Sequence, residues 1–379
     1  MKKALIVGAG IIGATTAYHL KKKGYRVDMI DRHESNAAES SYQNGGQLSV
    51  SNSETWTTWS NIYKGMLWMT KSDAPLYMNM KHWSPEKIKW ILGFLGATMK
   101  NTHKVNTEKT IQYALRSREL YLQAAEEFSV NFDARQDGIV HFYKSDKAFQ
   151  KARNSVEFYR NTGWGRETIS KDEVFALCPQ LNDHGDIVGG TYTKGDITGD
   201  CRKMTKALIK NCVDNRFTME MDRDRLNRYA QEYAVTIIAA GAYTPKLVPG
   251  LNIYPIKGYS LDLKIKGELP AVSLLDDESK IVTSSLKKTF RVAGTAELSG
   301  WDHSIFNWQR TEPLQRWYHT NIGHVIKEQE YYSCLRPMTP DMLPLVTKVG
   351  QVYVNSGSGH LGWTMGMALG EELVEKINE

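Results

Sequence analysis

The sequence predicts an α/β protein in two parts: a nucleotide-binding domain on a parallel sheet, and a second α+β domain containing an antiparallel sheet. Three observations predict it. The first thirty-one residues run strand, glycine turn, helix, strand and acid in that order. Residues 254–294 carry the apolar–polar alternation of antiparallel strands. Near the C-terminus a strand, a glycine cluster and an apolar helix return, which joins both ends of the chain in one domain.

The N-terminal unit is read residue by residue. Ala4–Val7 is wholly apolar, as a parallel strand buried on both faces must be. Gly8, Gly10 and Gly13 form GxGxxG. The first allows a tight turn, the second lets backbone approach a pyrophosphate, and the third lets the helix pack on the strand. Ile11 and Ile12 open that helix, which runs to about Lys23 and stops at Gly24. Its N-terminal amides and dipole suit a phosphate. Arg26–Ile30 is the second strand. Asp31 at its end stands where a carboxylate accepts both ribose hydroxyls and repels a 2′-phosphate, and Arg32 follows it. All parts in sequence make the match specific for an adenine dinucleotide, with FAD and NAD fitting equally.

Further along, Ser40–Ser49 is a polar, glycine-containing loop, and residues 54–99 are rich in Trp, Met and Lys and read as short helices and loops. Asn106 caps a predicted helix over Thr107–Phe128. Gly138–Tyr143 is a strand. Ser155–Gly165 and Ser170–Leu177 are partly helical, the second ending at Cys178-Pro179. Val235–Ala240 is another buried strand, ending in Gly241. Tyr254–Ile265, Lys280–Thr283 and Thr289–Gly294 alternate, and Arg310–His324 is a helix. Val352–Asn355 precedes Gly357, Gly359 and Gly362, which lead into a helix ending near Asn378. The predicted division gives the nucleotide-binding domain 1–88, 175–250 and 328–379, and the second domain 89–174 and 251–327.

Composition narrows the class. A net charge of +6 is spread along the chain rather than gathered in an arm, which argues against nucleic acid and allows at most weak attraction to anionic lipid. Cys178, Cys201, Cys212 and Cys334 show no metal spacing, so no metal is expected, and a reduced cytoplasmic setting follows. Met1-Lys2-Lys3 imitates a signal peptide, but fingerprint glycines interrupt the apolar stretch behind it. The longest apolar runs, Trp90–Met99 and Val235–Ala242, fall short of the ~20 residues that span a bilayer. Membrane contact, on the cytoplasmic face of an inner membrane, is expected to be peripheral.

Six segments then resemble the D-amino-acid dehydrogenase small subunits within the D-amino-acid-oxidase-like FAD-dependent oxidoreductases. They are SSYQNGGQLS at Ser40–Ser49, TGDC at Thr198–Cys201, IKGYSL at Ile256–Leu261, RVAGTAE at Arg291–Glu297, LRPMTPD at Leu335–Asp341 and LGWT at Leu361–Thr364. They keep the family's order across nearly the whole chain. The resemblance implies a Rossmann-like FAD-binding domain and a substrate domain with an antiparallel sheet. It also implies oxidative deamination of a D-amino acid to a 2-oxo acid and ammonia, with electrons passed to a quinone or other respiratory acceptor. The rival readings are an FAD oxidase of glycine, sarcosine or another secondary amine, and a flavin-binding assembly subunit working with a partner. Three departures stand out. The stretch from Cys212 to Val235 is short and charged where the family has a longer β-hairpin region. Ser358 stands between Gly357 and Gly359 where the family often has histidine. Ile197 replaces a common acid.

Hydride leaving a substrate Cα for flavin needs a held carboxylate and a neutral amine, so no catalytic triad is required, and none is seen. Arg336 is the expected carboxylate clamp, its guanidinium fork matching a carboxylate. Tyr259 is expected as a hydroxyl donor or aromatic wall, and Lys257 as a charge near the flavin. The resemblance puts Ser41, Asn44, Gly45, Gly46, Gln47 and Leu48 among the FAD contacts, with Ala240 and Gly241. Gly359, His360, Leu361, Gly362, Trp363 and Thr364 are expected to set amides and a helix N-terminus at the pyrimidine end of the ring. In sarcosine-oxidase-like relatives a cysteine placed like Cys334 attaches FAD covalently; a small buried thiol is the competing reading.

Overall fold

The computed structural model describes residues 1–69, 71–80, 83–302 and 307–379. The nucleotide-binding half is a six-stranded sheet ordered Leu345–Val349, Val352–Ser356, Val235–Ile238, Lys3–Val7, Arg26–Asp31, Asn215–Thr218. Neighbours are parallel except Leu345–Val349, which turns back on Val352–Ser356. The apolar run at 4–7 sits in the middle. Ala4 and Ile6 face the core under helices Ile11–Lys22 and Gly362–Asn378. Leu5 and Val7 face the other way, onto Leu226 of helix Arg223–Glu232, as alternation along a strand requires. Both chain ends therefore share this sheet.

The second sheet has nine strands. Its order is Ile326–Met338, Tyr254–Ile265, Thr289–Leu298, Ile281–Leu286, Ser273–Asp276, Ile139–Tyr143, Gly189–Thr193, Glu167–Ile169, with Leu76–Met78 paired to the end of Thr289–Leu298. One face packs Leu261, Leu263, Phe290 and Val292 against Leu314, Trp317 and Tyr318 of helix Trp308–Asn321. The opposite face borders a large cavity.

The two sheets draw the domain boundary differently from the predicted division. Gly189–Thr193 and Ile326–Met338 belong to the nine-stranded sheet, although 175–250 and most of 326–338 were expected with the nucleotide. The second of these is an edge strand whose outer part is polar and exposed, so it carries no buried run to read. Helix His103–Glu127 runs the other way, packing Leu120, Tyr121 and Ala124 into the core of the first sheet. Its cap position is Thr102, and Asn106 instead donates to Asp341 O at 3.0 Å. Ser145 caps a helix over Asp146–Asn161, which begins well before the expected Ser155. The short charged stretch before Val235 is also structured. Asn215–Thr218 extends the first sheet beside Arg26–Asp31, and Asp222 caps helix Arg223–Glu232. Of the Trp/Met-rich stretch, residues 70, 81 and 82 lie outside the described residues.

Candidate functional site

The first strand ends in a turn that only glycine can make. Gly8 has φ +118°, and a Cβ on it would lie 2.3 Å from Ala239 O. A Cβ on Gly13 would lie 2.0 Å from Gly8 O, so the helix packs directly on the turn. The N-cap is Gly10, with no side-chain cap, and the Ile11 amide donates to Ser41 Oγ at 3.0 Å. Asp31 accepts Ala9 N at 2.6 Å and His33 N at 2.8 Å, which fixes the carboxylate beside the turn. Arg32 pairs with Glu39 and stacks over Tyr243 at 3.7 Å. Gly8, Gly10, Ile11, Ile12, Asp31, Arg32, Ala240 and Gly241 all line the cavity. The sequence reading missed Met219, Glu220, Met221 and Tyr243 on the same wall; the first three come from the short charged stretch before Val235.

The cavity, of about 930 Å³, continues along the nine-stranded sheet. The Ser41–Leu48 loop is fastened over that sheet. Asn44 Oδ1 accepts Gly46 N at 3.0 Å, Gly46 O accepts Gly199 N at 2.7 Å, and Gly45 O accepts Ser284 Oγ at 2.5 Å. Gln47 Nε2 donates to Leu274 O and Thr283 O, while its Oε1 is buried with no partner among the described residues. Ser41, Asn44, Gly45 and Gln47 reach the cavity. Gly13, Gly46 and Leu48 do not, and act through backbone: Leu48 pairs with Ile197 in a two-residue ladder. From the far side, Gly359 through Thr364 line the cavity where helix Gly362–Asn378 begins. Thr364 Oγ1 donates to Gln47 O at 3.3 Å, and Trp363 Nε1 and His360 Nδ1 are buried with no partner among the described residues.

Arg336 projects into this end from the edge strand. Its guanidinium lies across Gly258, where a Cβ would sit 2.2 Å from Nη2, and Nη1 donates to Thr295 O at 3.1 Å. Among the described residues it forms no ion pair. Burial pushes its pKa below the ordinary value, with the Cys334 thiol alone acting against that. His360 stacks on Trp56 at 4.7 Å, and burial reinforced by Arg336 lowers its pKa to about 3, so the imidazole is neutral at physiological pH. Trp56, Met69, Leu76, Met78, Trp90 and Phe94 form an apolar wall beside them.

Two of the expected catalytic residues are placed otherwise. Lys257 is buried, pairs with Asp302 at 2.9 Å and does not reach the cavity, although Ile256 and Gly258 on either side of it do. Alternation along the strand turns it to the other face. Tyr259 turns to that same face, where its ring packs with Leu261 and Leu263 and lies 5.3 Å from Lys257 Nζ; it borders the cavity, but its hydroxyl is committed to Glu297 Oε2 at 2.7 Å. Cys334 lines the cavity with its thiol pKa pushed up by burial, which disfavours the thiolate a nucleophile needs.

A glycine cradle for pyrophosphate, a carboxylate at the ribose position and orphaned polar atoms along the loops that follow fit an extended flavin dinucleotide. This architecture defines a dinucleotide-dependent oxidoreductase. The comparisons agree. Residues 3–376 match the FAD dependent oxidoreductase (DAO) family, and the chain belongs to it. It is 36% identical over 397 residues to D-amino acid dehydrogenase 3 of Mesorhizobium japonicum, covering 97% of this chain and 95% of the relative. It is 32% identical over 402 residues to the D-amino acid dehydrogenase of Paramagnetospirillum magneticum, covering 99% and 95%. Its fold is that of glycine oxidase from Bacillus cereus (TM-score 0.72, 16% identity, 100% and 95% covered) and of L-proline dehydrogenase from P. horikoshii (TM-score 0.71, 14% identity, 99% and 93% covered). The protein is an FAD-dependent oxidoreductase.

Proposed function

We propose that this protein is an FAD-dependent dehydrogenase that deaminates a D-amino acid oxidatively to a 2-oxo acid and ammonia. The observation that carries this reading is Arg336: a guanidinium held in the cavity wall with no counter-ion, beside a neutral imidazole and an apolar wall. A substrate carboxylate supplies the missing charge through a bidentate contact. FAD, which the Gly8–Gly13 turn and Asp31 would hold, would supply the acceptor for the hydride leaving Cα. Arg336 then has two effects. It anchors the carboxylate, and its positive charge disfavours a neighbouring ammonium relative to the neutral amine whose lone pair drives hydride departure. Trp56, Trp90 and Phe94 keep water from the reacting carbon.

Anaerobic mixing of the holoenzyme with D- and L-amino acids, proline and sarcosine tests this. D-enantiomers are expected to bleach the flavin. Bleaching by L-enantiomers or sarcosine alone contradicts the reading.

The acceptor we assign is a membrane quinone, reached from a peripheral position. Helices Trp59–Trp68 and Pro85–Met99 present Trp59 (62% exposed), Tyr63, Leu67 and Leu92 (63% exposed) to solvent, with Lys89 and Lys100 on the second helix or at its end. Apolar anchors rimmed by lysine suit an anionic bilayer surface. No helix among the described residues is long and apolar enough to cross a membrane. Flotation with anionic but not neutral vesicles, and quinone-analogue reduction exceeding peroxide formation, are the expected results; peroxide as the main product contradicts the assignment.

A further inference from the structure

Beyond Arg336 the cavity has a second, polar lobe that deamination itself leaves unused. Its floor is the far part of the nine-stranded sheet, with His141 and Tyr143, and its wall is Arg166. Arg166 is 5% exposed. Nε and Nη2 donate to Thr191 Oγ1 at 3.0 and 2.8 Å, Nη2 also meets Tyr143 Oη and His141 Nδ1 at 3.1 Å each, and Nη1 reaches Ser51 O at 3.3 Å. Every one of these acceptors is neutral. Among the described residues no carboxylate pairs with this guanidinium; Glu54 and Asp196 act on it only at longer range. Asp196 is already engaged by Ser51 Oγ at 2.5 Å, Val50 N at 2.9 Å and Trp164 Nε1 at 2.9 Å.

The hydrogen-bond directions are fixed. Arginine only donates, so His141 Nδ1 accepts, its Nε2 carries the hydrogen, and that hydrogen goes to Ser51 Oγ at 3.1 Å. His141 therefore leaves the Arg166 charge uncancelled. The lobe's other ionisable lining is Lys64, Lys151 and Lys280 against Glu54 and Asp277, and Lys280 pairs with Asp277 at 2.7 Å. The lobe's lining is net positive, and among the described residues no carboxylate hydrogen-bonds the Arg166 guanidinium; burial lowers its pKa, but Tyr143, Tyr159, Glu54 and Asp196 outweigh that and keep it charged.

We propose that this lobe binds a second carboxylate, at the far end of the substrate's side chain, and so selects acidic D-amino acids. The proposal rests on Arg336 holding the first carboxylate. Thr295, whose carbonyl holds Arg336, lies three strands from His141, which Arg166 touches. At about 4.8 Å per strand the two charges stand on the order of 15 Å apart. One carboxylate cannot meet both, whereas a side chain of glutamate length or longer places a carboxylate toward each.

Equilibrium titration of the holoenzyme, read by perturbation of the flavin spectrum, tests this with two probes that cannot be oxidised: glutarate and pentanoate. Glutarate is expected to bind on the order of 30-fold more tightly. Arg166→Gln is expected to abolish that preference while leaving pentanoate affinity within about threefold. Should Arg166→Gln not fold, the Lys64→Gln/Lys151→Gln pair decides: loss of part of the preference at low salt supports the lobe, and its full retention overturns it. Equal binding of the two probes by the wild type, or a preference that survives Arg166→Gln, also overturns it. Because the readout is binding, failure of the proposed reaction would be seen separately, as no D-amino acid bleaching the flavin.

Discussion

The two ends of the cavity are built by different means. The dinucleotide end is made mostly of backbone, the Gly8 turn and the start of helix Ile11–Lys22, with one acidic side chain, the Asp31 carboxylate pinned by two amides. Its core parts come from one continuous stretch of chain. The substrate end is made of side chains, with Trp56, Trp90, Arg336 and His360 brought together from four distant segments. Backbone amides are available to any sequence, so apart from Asp31 the first end constrains chiefly which residues must be small. The second end depends on particular functional groups, and it can change its substrate without disturbing the cofactor.

The largest expected effect lies at the dinucleotide end. Gly8→Val would put a β-branched residue at φ +118° and a Cβ 2.3 Å from Ala239 O. A loss of roughly 3–5 kcal/mol is expected, with protein that melts early and purifies without yellow colour. Normal flavin content in that variant would break the claim that this end is specified chiefly by obstruction.

The same contrast explains what was legible in the sequence. Gly8, Gly10, Gly13 and Asp31 announce themselves because local spacing is enough to define them. Arg336 was found only because its Leu-Arg-Pro setting resembled a known pattern. Lys257 lies in that same kind of pattern, yet the strand turns it, with Tyr259, to the face opposite Ile256 and Gly258, which the motif does not foretell. Arg166 stands between Gly165 and Glu167 with no signal at all; pairing of Ile139–Tyr143 with Gly189–Thr193 creates its surroundings. The polar outer part of Ile326–Met338 hid a long strand for a related reason, since an edge strand needs no continuous buried run.

An intermediate effect concerns acid. An unfolded histidine titrates near 6.5, while His360 titrates at about 3 and His19 at about 4 in the fold, both lowered first by burial. Between those values the unfolded chain binds more protons. Stability is therefore fully present above about pH 6.5 and is lost as pH falls. His360→Asn is expected to make the decline in melting temperature from about pH 7 to 5 shallower while retaining FAD. An unchanged slope would mean that the substrate end does not hold this imidazole neutral.

The smallest effect is expected at Lys257. Lys257→Met removes a charge that faces Asp302 rather than the cavity, so KM and the flavin potential should stay within about a factor of two of wild type in kinetics and within error in a redox titration. A strong rise in KM would bring Lys257 back into the site.

The separation of the two ends is tested most directly by Arg336→Ala in anaerobic stopped-flow reduction with the best D-amino acid. The expected result is flavin bound at the wild-type level, with the apparent substrate Kd raised roughly 10²–10³-fold. Reduction at the wild-type rate and affinity would contradict the account, and loss of FAD together with substrate binding would show that the two ends are one.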